Sequence, residues 1–279
     1  MRKHRFILGL ALLPLFFSAC NKADAQSRSG TLVPDGKSKQ AEMPDNAKAP
    51  LARVAAALRN GAIPAHLSAN ILEAAENGSF MRDLALATAG DPMLCALVDK
   101  SHPLPTAYAP DDLVPLQNGA YRTGRNDLSL RREAEASLAR MAEAARADGV
   151  TLLASSSYRS EAYQKEVYER NVRQSGQETA DRESARPGRS QHQTGLVVDF
   201  GSITDAFAGT AAGKWLLQNA ARYGWSLSFP DGYEHVTGYR WESWHYRYVG
   251  PALAALIDAY FDGIQQYALQ FIHAYESPS

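Results

Sequence analysis

At 279 residues, with 45% hydrophobic and 21% charged side chains, the chain is long enough for one substantial domain with additions and has an ordinary globular composition. A formal net charge of -1 gives no general attraction to phosphate polymers, so nucleic acid is not expected as a partner.

The N-terminus has the three parts of an export signal: basic Arg2, Lys3 and Arg5, an apolar run from Phe6 to Phe17, then small Ser18 and Ala19 before Cys20. The run is too short to span a bilayer comfortably. Small residues directly before a cysteine resemble the bacterial lipobox, in which the cysteine receives diacylglycerol and becomes the mature N-terminus. Phe17 departs from that pattern, where a smaller aliphatic residue is usual, and a cleaved secretory peptide in which Cys20 has no role is the alternative. Residues 1–20 are thus expected to be a lipoprotein-type signal peptide, with export to the cell envelope and membrane anchoring through Cys20. Once Cys20 carries lipid, Cys95 has no partner in the chain, and within "MLCALV" it reads as a buried, inert thiol.

Residues 21–50 are polar, rich in Ser, Pro, Asp and Lys, and cannot bury enough surface to offset chain entropy, so they are expected to form a flexible tether. From Leu51, the spacing of Leu51, Val54, Ala55 and Leu58, then of Leu67, Ile71, Leu72 and Ala75, predicts a helical pair as an extension over 51–90. Residues 97–116 carry prolines that disfavour helix and read as extended, surface-hugging chain. Leu130, Ala134, Leu138, Met141 and Ala145 mark an amphipathic helix over 129–148, stopped at Gly149. A buried strand over 150–157 and a second helix from Ser160 follow. "GLVVDF" (195–200) and "HYRYVG" (245–250) read as strands, and the apolar spacing after Gly250 predicts a helical tail that packs on something. Helices and strands mix without regular βαβ alternation. The fold class expected is therefore α+β, a small mainly antiparallel sheet flanked by helices, with the main domain over 91–279.

Chemistry concentrates in "SQHQTGLVVD" (190–199) and "ESWH" (242–245), where histidines sit beside acids and aromatics. A catalytic zinc site wants three protein ligands and an open position, and His192, Asp199 and His245 supply that set. A turn at Gly195 lets His192 precede a strand carrying Asp199. Glu242 and His245 are three apart, which a straight strand would put on opposite faces, so the chain must turn there. Glu242 then stands near the metal as general base and acid, taking a proton from the attacking water and passing it to the leaving amine. On the residues alone, satisfied histidines at a sheet edge account for the pattern equally well.

Four ordered elements, "LVDKSHPLP", "SSYRSEAYQ", "SQHQTGLVVD" and "ESWHYRYVG", resemble the zinc D-alanyl-D-alanine carboxypeptidases of the VanY and LdcB type. That family has a serine two before the first ligand histidine, a glycine three after it, an aspartate seven after it, and then Glu-x-Trp-His. The similarity covers roughly 94–272. It implies a hedgehog/DD-peptidase-like fold, one zinc ion per chain on His192, Asp199 and His245, and Glu242 as catalytic base. It further implies that Arg159, Gln164 and Ser190 bind the substrate's terminal carboxylate and peptide; a guanidinium fork suits a free carboxylate because it makes two charge-assisted hydrogen bonds. The structural alternatives are a surface salt bridge for Arg159, an exposed helix residue for Gln164 and a turn residue for Ser190. Trp244 is expected to pack under the site and His102 to be structural, while His235 and His273 lack family support. The loop 226–241 is expected to line the groove and to bear on fine specificity.

The expected activity is hydrolysis of the C-terminal D-Ala from peptidoglycan stem peptides ending in D-Ala-D-Ala. An L,D-carboxypeptidase acting on tetrapeptides uses the same metal site and is the near alternative. A non-catalytic cell-wall-binding module is the distant one, and the presence of Glu242 beside the three ligands argues against it.

Overall fold

The computed structural model describes residues 45–277; the export signal, Cys20 and most of the expected tether lie outside the described residues. Three helices open the described chain: α1 (Asp45–Asn60), α2 (Ala65–Glu76) and α3 (Ser79–Ala87). Composition puts 45–50 in the tether, but α1 begins at Asp45. Pro50 lies inside it, forgoing one i→i−4 hydrogen bond. The expected pair is also a trio, because Gly78 at φ 79 turns the chain within two residues of α2 and starts α3.

After α4 (Pro92–Cys95), whose Asp91 cap accepts from Met93 N at 2.8 Å, the proline-bearing stretch runs extended into β1 (Leu113–Pro115). Then come β2 (Arg122–Thr123) and β3 (Ser129–Arg131), and only then α5 (Arg132–Ala147). The helix expected over 129–148 thus loses its first residues to an antiparallel pair with β1, and Leu130 is a buried strand residue. Next are β4 (Leu153–Ser156), α6 (Glu161–Ser175), α7 (Gln177–Glu183) and β5 (Val197–Phe200). The rest of the chain forms α8 (Ala211–Asn219), β6 (Trp225–Leu227), α9 (Glu234–Thr237), β7 (His245–Tyr248), α10 (Pro251–Tyr260) and α11 (Gln265–Glu276). The segment 226–241, expected as a loop, therefore holds most of an edge strand and one short helix. The apolar tail breaks in two at Asp262 (φ 52) and Gly263 (φ 73), both left-handed.

The main sheet has the order β2-β4-β5-β7-β6, with β2 parallel to β4 and the other pairs antiparallel, matching the fold class expected. Strand periodicity divides it into two chemically different faces. Val198, Phe200, Tyr246 and Tyr248 join Leu138 and Met141 of α5 and Leu216 of α8 in one hydrophobic core. Asp199, His245 and Arg247 alternate with them and turn to the other face. A second core joins Val54, Leu58, Ile71, Phe80 and Leu84 of the N-terminal helices to Leu253, Ile257, Leu269 and Phe271 of α10 and α11. The tail's partner is thus the N-terminal extension itself.

Arg247 fixes α4 against β7: its Nη2 donates to the carbonyls of Met93 and Ala96, at 2.9 Å each. The side chain is fully buried, and burial lowers its pKa to about 10. Cys95 is buried and unpaired, with its thiol pushed up to about 11 by burial, the inert character read from its apolar run. Among the described residues no helix is long and apolar enough to cross a membrane.

Candidate active site

Asp199 and His245 are directly opposed residues of β5 and β7, so strand pairing alone holds their side chains together on the polar face. His192 comes from the 3-10 turn Gln191–Thr194, capped by Ser190, whose hydroxyl accepts from His192 N at 3.3 Å. The turn ends at Gly195 with φ 71, where a Cβ would come within 2.9 Å of Arg131 Cγ and 3.0 Å of Leu113 Cδ2. Glycine is required there both by conformation and by space. Glu242 precedes β7 in a tight reversal, His245 N donating to Glu242 O at 3.2 Å, which swings the carboxylate to the histidine's side.

One ligand atom each from His192, Asp199 and His245 lies within 4.8 Å of the others, and all three residues are buried. His192 Nε2 stands 3.3 Å from Asp199 Oδ2, and His245 Nδ1 stands 3.2 Å from both Asp199 Oδ1 and Glu242 Oε2. His192 Nε2 and Asp199 Oδ1 are nevertheless buried without a well-formed hydrogen bond. Orphaned buried polar atoms that converge on one point call for a missing partner. Two imidazole nitrogens and a carboxylate oxygen are the donor set of a catalytic zinc site with an open position, so the residues present fit a zinc ion.

Arg159 bounds the far side. Its Nη1 donates to Gln164 Oε1 at 2.8 Å and its Nη2 lies 3.7 Å from Asp199 Oδ2, while its Nε is buried without a partner. Gln164 is buried on α6 and anchored by its own donation to Ala185 O at 2.7 Å. Arg159, Gln164, Ser190, His192, Asp199, Glu242 and His245 all line one cleft of about 430 Å³, so every described residue singled out in the sequence for the site meets there. Phe229 and Tyr239, from the 226–241 segment, line it too, and Trp244 is both a core and a cleft-lining residue. His235 stacks on Tyr233, and His102 bonds to Asp99 at 2.8 Å and packs on His273, so the other histidines of that region serve packing.

Burial sets the electrostatics. It lowers His192 to about 4, helped by Arg159, so the imidazole is neutral as a ligand must be. Burial would raise Asp199, but His192 and His245 outweigh it and hold the carboxyl well below the usual range. His245 goes the other way: burial would lower it, but its bonds to Asp199 and Glu242 raise it to about 8. Glu242 is raised, by burial first, with Asp199 adding and His245 opposing. A carboxylate raised in this way, and held beside His245 in the cleft, is placed to accept and return a proton.

Sequence reasoning missed the groups behind the ligands. His192 Nδ1 donates to Ser157 O at 2.7 Å, and His245 Nε2 lies 3.3 Å from Gln191 Oε1. A backbone carbonyl leaves no mark in a sequence. Gln191, which flanks a ligand, was the one detectable signal.

Residues 127–251 match the family model for VanY, D-alanyl-D-alanine carboxypeptidase. YodJ of Bacillus subtilis is 37% identical over 171 residues, which are 59% of this chain and 63% of that relative. Among solved structures, the LdcB LD-carboxypeptidase is 35% identical with a TM-score of 0.55, covering 61% of this chain and 86% of that one. The vancomycin-resistance D,D-pentapeptidase VanY of a VanB-type cassette, solved with Zn(II), is 28% identical with a TM-score of 0.53, covering 66% and 99%. The chain spans 63% and 60% of the length of two curated relatives that it matches. A His-Asp-His cluster on this sheet, together with matches of that coverage and identity, means that the chain belongs to the VanY/LdcB-like family of D-alanyl-D-alanine carboxypeptidases.

Proposed function

We propose that this protein is a zinc-dependent D-alanyl-D-alanine carboxypeptidase that hydrolyses the C-terminal D-Ala of peptidoglycan stem peptides. The observation that supports it most is the convergence of His192, Asp199 and His245 with Glu242 on one side and the partly unpaired guanidinium of Arg159 on the other, inside one cleft. His192, Asp199 and His245 would hold the metal, one ion per chain; bound there, zinc supplies Lewis acidity toward a water and the scissile carbonyl. Glu242 accepts the proton of the attacking water and returns it to the leaving amine. Arg159, with Nε free and Nη1 fixed by Gln164, receives the terminal carboxylate of the peptide, and Ser190, buried in the lining of the same cleft, adds a hydroxyl donor. An exopeptidase needs that feature, because the charge of a chain end is what it must recognise.

One observation favours a second reading. The LD-carboxypeptidase LdcB is more similar to this chain than the D,D-pentapeptidase VanY, at 35% against 28% identity, which supports L,D cleavage of tetrapeptides on the same metal site. The N-terminal segment supports export and a lipid anchor at Cys20, which would hold the enzyme at the cell-envelope face of a membrane, where its polymeric substrate lies.

The test is D-alanine release from synthetic pentapeptide and tetrapeptide stems by zinc-loaded protein, with Glu242→Ala alongside. Release from the pentapeptide that Glu242→Ala abolishes supports the D,D reading. Release from the tetrapeptide alone moves the assignment to L,D. No zinc-dependent release from either leaves a cell-wall-binding role.

A further inference from the structure

A histidine ligand offers one ring nitrogen to a metal and keeps a proton on the other, and the partner of that second nitrogen decides which is which. The two histidines here solve this differently. His192 keeps its proton on Nδ1, because Ser157 O at 2.7 Å can only accept, and so presents Nε2 toward Asp199. His245 is reversed: Nδ1 faces Asp199 and Glu242, and Nε2 faces away.

Behind Nε2 lies a chain of buried polar side chains. Gln191 Oε1 is 3.3 Å from it and also accepts from Ser228 Oγ at 2.8 Å. Ser228 N donates to His245 O at 3.1 Å, which fixes the serine to the ligand's own backbone. The hydroxyl is 3.4 Å from Gln265 Oε1 at the start of α11, and Gln265 Nε2 donates to Ser226 O at 3.3 Å. Gln191, Ser228 and Gln265 are 5%, 2% and 1% exposed. Burying two amides and a hydroxyl where apolar side chains would pack is costly unless their bonds are needed.

We propose that Gln191, held by Ser228, is a positioning residue that fixes the tautomer and ring orientation of His245 and thereby sets the affinity of the site for zinc. This rests on the reading of His192, Asp199 and His245 as metal ligands, not on the identity of the peptide cleaved. Removing the acceptor leaves Nε2–H buried without a partner, so the ring gains by turning Nε2 toward the cleft, away from the geometry that suits the other two ligands. Gln265 extends the chain into the helical layer formed by α11 and the N-terminal helices, so that layer supports the ligand as well as the fold.

The experiment measures zinc affinity by chelator competition on the full chain, without substrate, together with the visible spectrum of the cobalt form. Gln191→Met, similar in volume but without the acceptor, should weaken zinc binding about tenfold to a hundredfold and shift the cobalt bands. Gln191→Glu, which keeps an acceptor, should restore affinity to within about threefold of wild type, a rescue that a purely packing role would not give. Ser228→Ala removes a single oxygen and should weaken binding about threefold, which decides the matter if Gln191→Met does not fold. Wild-type affinity within twofold in both Gln191→Met and Ser228→Ala overturns the proposal. A wild-type chain that binds no zinc overturns it together with the metal assignment, whereas a chain that binds zinc but releases no D-alanine overturns the peptidase reading alone.

Discussion

Phe80→Ala should destabilise the whole described chain by about 4 kcal/mol. Phe80 is fully buried on α3 and meets Tyr260 edge-on at 5.0 Å, Phe271 edge-on at 5.3 Å and Phe261 at 6.5 Å, so one ring joins the N-terminal helices to both C-terminal ones. Truncating a buried phenylalanine costs about 3 to 5 kcal/mol, and the two edge contacts argue for the upper half of that range. Against a total stability of roughly 5 to 15 kcal/mol this is a large share. Urea unfolding followed by tryptophan fluorescence is the assay. Trp215, Trp225, Trp241 and Trp244 all lie outside the N-terminal helices, so the signal moves only if loss of the helical core reaches the sheet. An unfolding free energy, read by tryptophan, that is unchanged to within about 1 kcal/mol would refute the idea that the N-terminal helices and the sheet fold as one cooperative unit.

Two further outcomes follow from particular contacts. Arg159→Lys keeps the charge but loses the fork, and should raise KM for peptides with a free C-terminal carboxylate about tenfold to a hundredfold; an unchanged KM would remove Arg159 from carboxylate recognition. Asp99 is a pH-dependent tie between the turn at 99–102 and α11. Burial would raise its carboxyl, but the Ser101 amide, His102 and Gln266 outweigh burial and hold it below the usual value. A pKa lower in the folded chain gives stability that is present above the unfolded value, about 3.9, and is lost as pH falls through the folded one. Asp99→Asn should therefore cost about 1 to 3 kcal/mol at pH 7 and progressively less below pH 4, and a cost that does not vary with pH would contradict this.

What could be read in the sequence was local. His192, Asp199, Glu242 and His245 sit in two short motifs whose residue types fit metal chemistry and satisfied histidines at a sheet edge equally well, so the family resemblance decides between them; the turns that aim them, at Gly195 and before His245, follow from conformation and spacing. That Asp199 and His245 are directly opposite depends on the register of β5 on β7, which neither strand encodes by itself. The apolar run at 195–200 hid the same fact, because a strand covered on both faces loses the alternation that would mark one face as polar. Leu130 fell on the wrong element because a strand and a helix share it as a buried position, and only pairing with β1 decides. Arg247, Ser228 and Gln265 drew no notice at all. Their partners are carbonyls and side chains brought close by tertiary packing, and polar residues of those types are common on any surface.

The charges at the site also bear on the kind of molecule it takes. Two acids, Asp199 and Glu242, stand on one side of the cleft and a single guanidinium, that of Arg159, on the other. The bonds of His245 to both acids raise its pKa to about 8 against the effect of burial, and a proton held there offsets one of the two acids. A dication held by His192, Asp199 and His245 would add more positive charge than that proton does, beside an arginine whose Nε has no partner. A single carboxylate on the substrate restores balance. Endopeptidase substrates bring no such charge to the bond being cut. A peptide cleaved next to its own C-terminus always does, so the unpartnered Nε of Arg159 in this cleft is the feature that the proposed carboxypeptidase activity calls for.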